Sequence, residues 1–70
     1  MKKGMKRYIL FISYCIDGRQ VNREREIYRF SDAEAKAELN RIHDTEKTAH
    51  EGFVTRERGN DRVGEFCKYV

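Results

Sequence analysis

Arginine side chains supply most of the chemistry that this sequence offers. Seven of them, together with three tyrosines, lie in segments that favour β-strands. A guanidinium group presents its donors in a fixed fork that matches a phosphate or a carboxylate. The chemistry expected of these residues is recognition of an anionic partner. The candidate binding residues are Arg19, Arg23, Arg25, Arg29, Arg56, Arg58, Arg62, Tyr8, Tyr14 and Tyr28.

Two interpretations of these arginines are open. Combined with the tyrosines, they could hold a nucleic-acid backbone and stack its bases on one sheet face. Alternatively, glutamates in the same strands pair with the arginines and leave a solvated surface. The interleaved acids favour a protein partner, because dedicated DNA-binding proteins segregate their charge more cleanly and Arg and Tyr are enriched in protein interfaces. Those glutamates are Glu24, Glu26, Glu57 and Glu65.

The sequence gives little support for a metal site or for catalysis. Two cysteines, Cys15 and Cys67, and two histidines, His43 and His50, could together bind zinc, but none has the close spacing of paired ligands. A glycine-rich phosphate loop and a nucleophile elbow are both missing. We therefore expect no catalytic residue, no metal and no cofactor. Both cysteines are expected to be small buried apolar side chains in strands.

The composition sets the size class of the protein. The chain has 70 residues, of which 39% are charged and 39% are hydrophobic, and its formal net charge is +3. Because domains usually contain about 100 residues or more, residues 1–70 are expected to form a single small domain. Residues 1–5 are expected to form a flexible N-terminal tail. The small positive excess gives only a mild preference for anionic partners.

The first half of the chain predicts a hairpin of two strands. Residues 6–16 read KRYILFISYCI, with apolar side chains at both parities, which is typical of a central strand. Asp17 and Gly18 follow as a two-residue turn signal. Residues 20–30 read QVNREREIYRF, and as a strand this segment places its arginines and its glutamates on opposite faces.

A helix is predicted after this hairpin. Ser31 and Glu34 have the spacing of a capping box, and Asp32 adds negative charge at the positive end of the helix. The helix is predicted to continue to about His50, and Gly52 is its stop signal. Its narrow apolar stripe consists of Ala35, Leu39, Ile42 and Ala49.

The rest of the chain predicts a second hairpin, with arms at residues 53–58 and 62–70 and a turn at residues 59–61. The fold class is therefore α+β, in the order ββαββ: a four-stranded antiparallel sheet with one helix packed on one face. The expected strand order is 2-1-4-3, with the first strand in the interior.

One helix covers only one face, so the apolar residues on the other face form a candidate interaction surface. The alternative is that a dimer partner or long arginine stems cover that face.

The whole pattern resembles a class of small proteins encoded by bacteriophages and other mobile elements, including some anti-CRISPR proteins. The resemblance extends from RYILFISY at Arg7, through the SDAE cap at Ser31, to FCKYV at Val70. It implies an inhibitor that occupies a surface on a host nucleoprotein complex and that has no catalytic residues.

Three functional hypotheses follow from these observations. The first is a non-enzymatic binding module, an inhibitor or regulator that binds a host protein or nucleoprotein complex through an arginine- and tyrosine-rich sheet surface. The second is direct nucleic-acid binding by the same residues, which a steep loss of affinity with salt would indicate. The third is a structural homodimer formed through a strand edge or the free sheet face. We expect a cytoplasmic protein with reduced thiols and no membrane partner, because neither a signal peptide nor an apolar run of about 20 residues is present.

Overall fold

The computed structural model describes residues 4–57 and 61–68. Strands β1 (Lys6–Ile16) and β2 (Arg19–Arg29) precede helix α1 (Asp32–Thr45), and strands β3 (Ala49–Arg56) and β4 (Arg62–Cys67) follow it. The strands form one antiparallel sheet in the order β2-β1-β3-β4. The predicted α+β class and the ββαββ order are confirmed. The candidate residue Arg58 lies outside the described residues, as do residues 1–3 of the predicted tail.

The first hairpin forms as the sequence predicts. β1 and β2 pair without a register shift from Lys6 opposite Arg29 to Ile16 opposite Arg19. Asp17 and Gly18 connect them with φ angles of 52° and 78°. Positive φ at both central residues is the geometry whose twist matches that of the two flanking strands. Glycine adopts it without steric cost, and aspartate is among the few other residues that tolerate it.

The position of β1 in the interior of the sheet is confirmed, but the predicted order 2-1-4-3 is wrong. β3, rather than the terminal strand, lies beside β1. β3 supplies Ala49 and Val54 to the core, both fully buried, and its Gly52 allows a close approach to β1. Every residue of β4 is exposed or half-buried, which suits a strand at the edge of the sheet.

Helix α1 begins where the sequence predicts and ends earlier. The Ser31 hydroxyl accepts a hydrogen bond from the Glu34 backbone N–H at 3.3 Å, so the predicted cap is confirmed. The helix ends at Thr45, and the prediction of a helix to His50 is wrong. Pairing with β1 overrides the helical preference of the segment, because Ala49 lies opposite Tyr14 in the sheet. The two histidines therefore lie on different elements, and Gly52 lies inside β3 instead of stopping the helix.

The hydrophobic core lies between α1 and one face of the sheet. Helix α1 lies closer to β4 and β3 than to β2. Except for the buried Ile27, the helix-side residues of β2 are therefore left beside the helix instead of beneath it. The core consists of Tyr8, Leu10, Ile12, Ile27, Ala35, Leu39, Ile42, Ala49 and Val54.

Candidate binding surfaces

The alternating charges of β2 separate onto the two faces of the sheet, as the sequence predicts. Arg23 pairs with Ile12 and Arg25 pairs with Leu10, while Glu24 pairs with Phe11. Directly opposed residues in an antiparallel pair point to the same face. Arg23 and Arg25 therefore lie on the side of the buried core residues, next to α1, and Glu24 lies on the uncovered side.

Three β2 arginines and one helical arginine form a basic flank beside α1, while Arg19 lies opposite Ile16 at the hairpin end of β2. One carboxylate, Glu38, holds three arginines of the flank: Arg41 and Arg29 donate hydrogen bonds to it, the latter at 3.1 Å, and Arg25 lies at 3.6 Å. The Glu38 side chain is only 13% exposed. Hydrogen bonds from Arg41 and then Arg29 lower the pKa of Glu38, against the effect of its burial. The members of this basic flank are Arg23, Arg25, Arg29 and Arg41.

A groove of about 300 Å³ runs between α1 and β2, next to the basic flank. Leu10, Ile12 and Ile42 give it an apolar lining, and Arg23 and Arg25 line it with positive charge. Tyr14 also lines this groove, and its hydroxyl donates to Glu46 at 2.9 Å. Burial and then this hydrogen bond raise the pKa of Tyr14. We call this feature the basic groove; it can hold a segment that combines an acidic group with an apolar one.

Two of the candidate binding residues lie in a cluster at the start of α1. Tyr8 is completely buried and its hydroxyl donates to Asp32 at 2.7 Å. Arg56 also binds Asp32 through its guanidinium group. Hydrogen bonds from Arg56 and then Tyr8 lower the pKa of Asp32 to about 2. Burial, followed by the hydrogen bond to Asp32, raises the pKa of Tyr8 to about 12. This cluster holds the helix on the sheet, and Tyr8 cannot stack on a ligand.

The sheet face away from α1, which we call the open face, carries an aromatic pair at its centre. The rings of Phe11 and Phe53 stack with centroids 4.7 Å apart at an interplanar angle of 24°. The guanidinium group of Arg62 lies 3.9 Å from the centroid of the Phe53 ring. Glu24 is opposite Phe11, and Glu65 is opposite Phe53. A carboxylate therefore lies on each side of the aromatic pair.

The open face is acidic overall. Arg7 bonds both Glu26 and Glu57, and the Tyr28 hydroxyl donates to Glu26. With Glu57, which directly follows β3, the register places five carboxylates and two arginines of residues 4–57 and 61–68 on this face. The carboxylates are those of Glu24, Glu26, Glu51, Glu57 and Glu65, and the arginines are Arg7 and Arg62.

The structure places the candidate residues from the sequence in several separate positions. Arg23, Arg25 and Tyr14 lie together at the basic groove, and Arg29 lies next to it at Glu38. Arg19 lies at the hairpin end of β2, Tyr8 and Arg56 lie at the start of α1, and Arg62 and Tyr28 lie on the open face. Sequence reasoning did not select Glu38 or Arg41, although their spacing of three on a helix is a recognisable pairing signal. It did not pair Phe11 with Phe53 either, because that contact depends on the strand order.

Both cysteines are exposed, so the prediction that they are buried is wrong. Cys67 pairs with Glu51 and Cys15 with Gln20, on the open face of the sheet. No second layer covers this face in the described part of the chain, which explains their exposure.

Comparisons of this chain with protein-family models, with curated proteins and with solved structures find no match. Within residues 4–57 and 61–68, no group of three or more His, Cys, Asp or Glu side chains could hold a metal ion. No helix of the described residues is long and apolar enough to cross a membrane. The charge and shape of the surfaces are thus the basis on which a function is assigned.

Proposed function

We propose that this protein is a small, non-enzymatic binding module that acts in the cytoplasm as an inhibitor or regulator. Its basic groove binds an acidic segment on a host protein or nucleoprotein complex. The observation that carries this proposal is the collection of β2 arginines beside a groove with an apolar lining. Arg carries both a charge and a planar, weakly hydrated surface, which is why it is frequent at the centres of protein interfaces.

The arrangement of Glu38 supports a binding role for the flank. A carboxylate that bonds three guanidinium groups restricts their rotamers before a partner arrives. Ordering a long side chain on association costs about 0.5–1.5 kcal/mol. Arg25, Arg29 and Arg41 therefore lose less freedom on binding than unrestrained arginines would. The flank remains positive, because one carboxylate cannot neutralise three guanidinium groups.

The geometry favours a protein partner over a nucleic acid. Base stacking needs accessible rings next to phosphate-binding cations, but Tyr8 is fully buried and Tyr14 is half-buried with its hydroxyl bonded to Glu46. The half-buried ring pair, Phe11 and Phe53, and the exposed Tyr28 ring lie on the opposite face among carboxylates that repel phosphate. Direct nucleic-acid binding by the basic groove is therefore the second hypothesis.

The test compares two charge reversals of equal size on opposite faces. Arg23→Glu changes the basic groove, and Arg62→Glu changes the open face. Immobilised wild-type protein and both variants are exposed to host lysate, and a retained partner is then purified and titrated by calorimetry. We expect Arg23→Glu to weaken its binding at least tenfold and Arg62→Glu to change it less than threefold. Equal binding by wild type and Arg23→Glu would contradict the assignment.

A second titration separates protein from nucleic acid. Labelled duplex DNA, single-stranded DNA and RNA are titrated with the protein by fluorescence anisotropy at several salt concentrations. We expect no micromolar binding at physiological salt. Tight binding that falls steeply with salt and that Arg23→Glu abolishes would assign the groove to phosphate contacts, since counterion release produces that dependence.

A further inference from the structure

The aromatic pair of the open face already holds one guanidinium group. Arg62 lies over the Phe53 ring at 3.9 Å, and its Nη1 is 3.6 Å from a carboxylate oxygen of Glu65. A cation over an aromatic face and beside a carboxylate is favoured by the ring quadrupole and by charge together. The second ring of the pair, Phe11, lies in an equivalent setting, because Glu24 is its direct cross-strand neighbour.

The surroundings of Phe11 form an unfilled counterpart to the Arg62 position. A depression of about 450 Å³ is lined by Phe11 and Phe53 together with Glu24, Glu51 and Ser13, and Arg23 and Arg62 also contribute to its lining. Glu24 is exposed and Glu51 is half-buried. Among the described residues, neither carboxylate forms an ion pair within 4.0 Å, whereas Glu26 and Glu57 are both bound to Arg7. Aromatic surface and uncompensated negative charge therefore coincide at one place.

We propose that this depression binds the guanidinium group of an arginine side chain presented by a partner protein. The guanidinium plane stacks on the face of Phe11 that Phe53 leaves free, as Arg62 stacks on Phe53, and its N–H groups donate to Glu24. Arginine fits better than lysine, because its planar, delocalised cation stacks on rings and bonds a carboxylate in two places. The site is a second interaction surface on the other side of the sheet from the basic groove, and Ile12, Arg23 and Glu24 contribute to the lining of both.

Charge favours an arginine of a partner protein at this site over a phosphate backbone or a second copy of the chain. In the described part of the chain, five carboxylates against two arginines repel a phosphate backbone from the open face. A second copy of this chain would have to bring its own basic flank to the open face, which would produce a head-to-tail assembly that grows with protein concentration. A cationic segment of another protein requires no such assembly.

The experiment titrates isotope-labelled protein with two blocked peptides, tetra-arginine and tetra-lysine, and follows the amide signals by NMR. Both peptides carry the same charge, so a difference between them reports stacking instead of simple attraction. We expect signals of Phe11, Ser13 and Glu24 to shift, and tetra-arginine to bind about two- to fivefold more tightly, the range for an exposed cation over a ring. Equal affinities for the two peptides would overturn the proposal.

Two variants identify the ring and the carboxylate. Phe11→Leu keeps an apolar side chain and is expected to remove the preference for tetra-arginine. Glu24→Gln changes an exposed side chain and is expected to weaken both peptides about two- to fivefold. Asp44→Asn makes the same charge change on α1 and serves as the matched control. The same weakening in Asp44→Asn as in Glu24→Gln would contradict the proposed site.

Two further results separate failure of the proposed arginine site from failure of the proposed function. Arg25→Glu, which changes the lining of the basic groove alone, is expected to leave the preference for tetra-arginine over tetra-lysine intact, although it weakens binding of the partner of the basic groove. If amide signals of the open face shift with protein concentration in the absence of peptide, a second copy occupies this surface. That result would overturn the assignment to an arginine of another protein.

Discussion

Asp32 connects the helix to two strands through a single side chain. It accepts hydrogen bonds from Tyr8 of β1 and Arg56 of β3 while lying in the first turn of α1. A negative charge at this position is also favoured by the positive end of the helix dipole. These contacts explain why its pKa falls to about 2 from an ordinary value of 3.8. The ionised form of Asp32 is therefore the form that stabilises the fold.

The pH dependence of stability follows from that shift. A group whose pKa is lower in the folded state stabilises the protein above its unfolded pKa, and this contribution disappears as the pH falls through the folded value. We expect the free energy of unfolding to fall between about pH 4 and pH 2, and we expect Asp32→Asn to remove the part of this dependence that Asp32 contributes, while Glu38, whose pKa is also lowered, keeps its own part. Urea titrations at several pH values measure it. Asp44→Asn is the control, and parallel curves for Asp32→Asn and wild type would contradict the prediction.

Strand β2 shows how one element can serve two faces. Its arginines point to the basic groove and its glutamates to the open face. Its outer edge is open in the described structure, because β1 is its only neighbour there. Two copies of β2 paired antiparallel in a continuous sheet would place the arginine face beside an arginine face. Like charges directly opposite destabilise such a pair, so the charge pattern disfavours a homodimer through this edge.

The packing of β3 against β1 depends on a glycine. A Cβ atom at Gly52 would lie 2.6 Å from Cδ1 of Ile12 and 3.0 Å from the backbone oxygen of Phe11. The backbone atom cannot move aside without disturbing the paired strands. At Gly64 in β4, the closest atoms are Cγ of Lys36 at 2.9 Å and Cδ2 of Leu39 at 3.4 Å, and both belong to side chains instead of the backbone.

These two glycines therefore make a matched pair. We expect Gly52→Ala to lower the free energy of unfolding by about 1–3 kcal/mol, as overpacking of a well-packed core does. Gly64→Ala is expected to cost less, because the Lys36 side chain can rotate away. Chemical denaturation of both variants measures the difference. A larger loss for Gly64→Ala would show that the close approach at Gly52 is not the constraint.

The whole molecule is a two-layer structure in which a single helix supplies one entire layer. A 70-residue domain buries only about 60% of the surface that its unfolded chain exposes. Its total stability is small, about 0.05–0.15 kcal/mol per residue. The helix contributes only Ala35, Leu39 and Ile42 to the core. Each of these side chains therefore accounts for a large share of the stability.

Leu39 provides the test that each core side chain of the helix contributes a large share of the stability. It is completely buried between the helix and the sheet. Leu39→Ala is expected to cost about 2–5 kcal/mol, through lost transfer free energy and the remaining cavity. Thermal unfolding followed by circular dichroism measures the loss, and Lys36→Ala on the exposed part of the helix is the control. The lower end of the expected range is about 2 kcal/mol. A loss in free energy of unfolding of less than about 1 kcal/mol would therefore show that Leu39 contributes little to the core.

The sequence by itself determined the local features of this protein. The Asp17–Gly18 turn, the Ser31 cap, the two-sided apolar pattern of β1 and the separation of charge along β2 all appear in the structure as predicted. Each depends on backbone preferences and on the alternation of side chains along a strand. Residues close together in the sequence supply all the information for such features. The predicted interior position of β1 also follows from its own pattern.

Only the tertiary structure decided which distant residues meet. The segment after Thr45 favours a helix locally, but Ala49 contributes to the core only by pairing with β1, and that burial outweighs the local preference. The choice of β3 as the neighbour of β1 brings Phe53 onto Phe11 and creates the aromatic centre of the open face. The position of α1 then decides that Tyr8 is buried and that the β2 arginines flank a groove. These outcomes depend on packing between residues far apart in the chain, which no local pattern records.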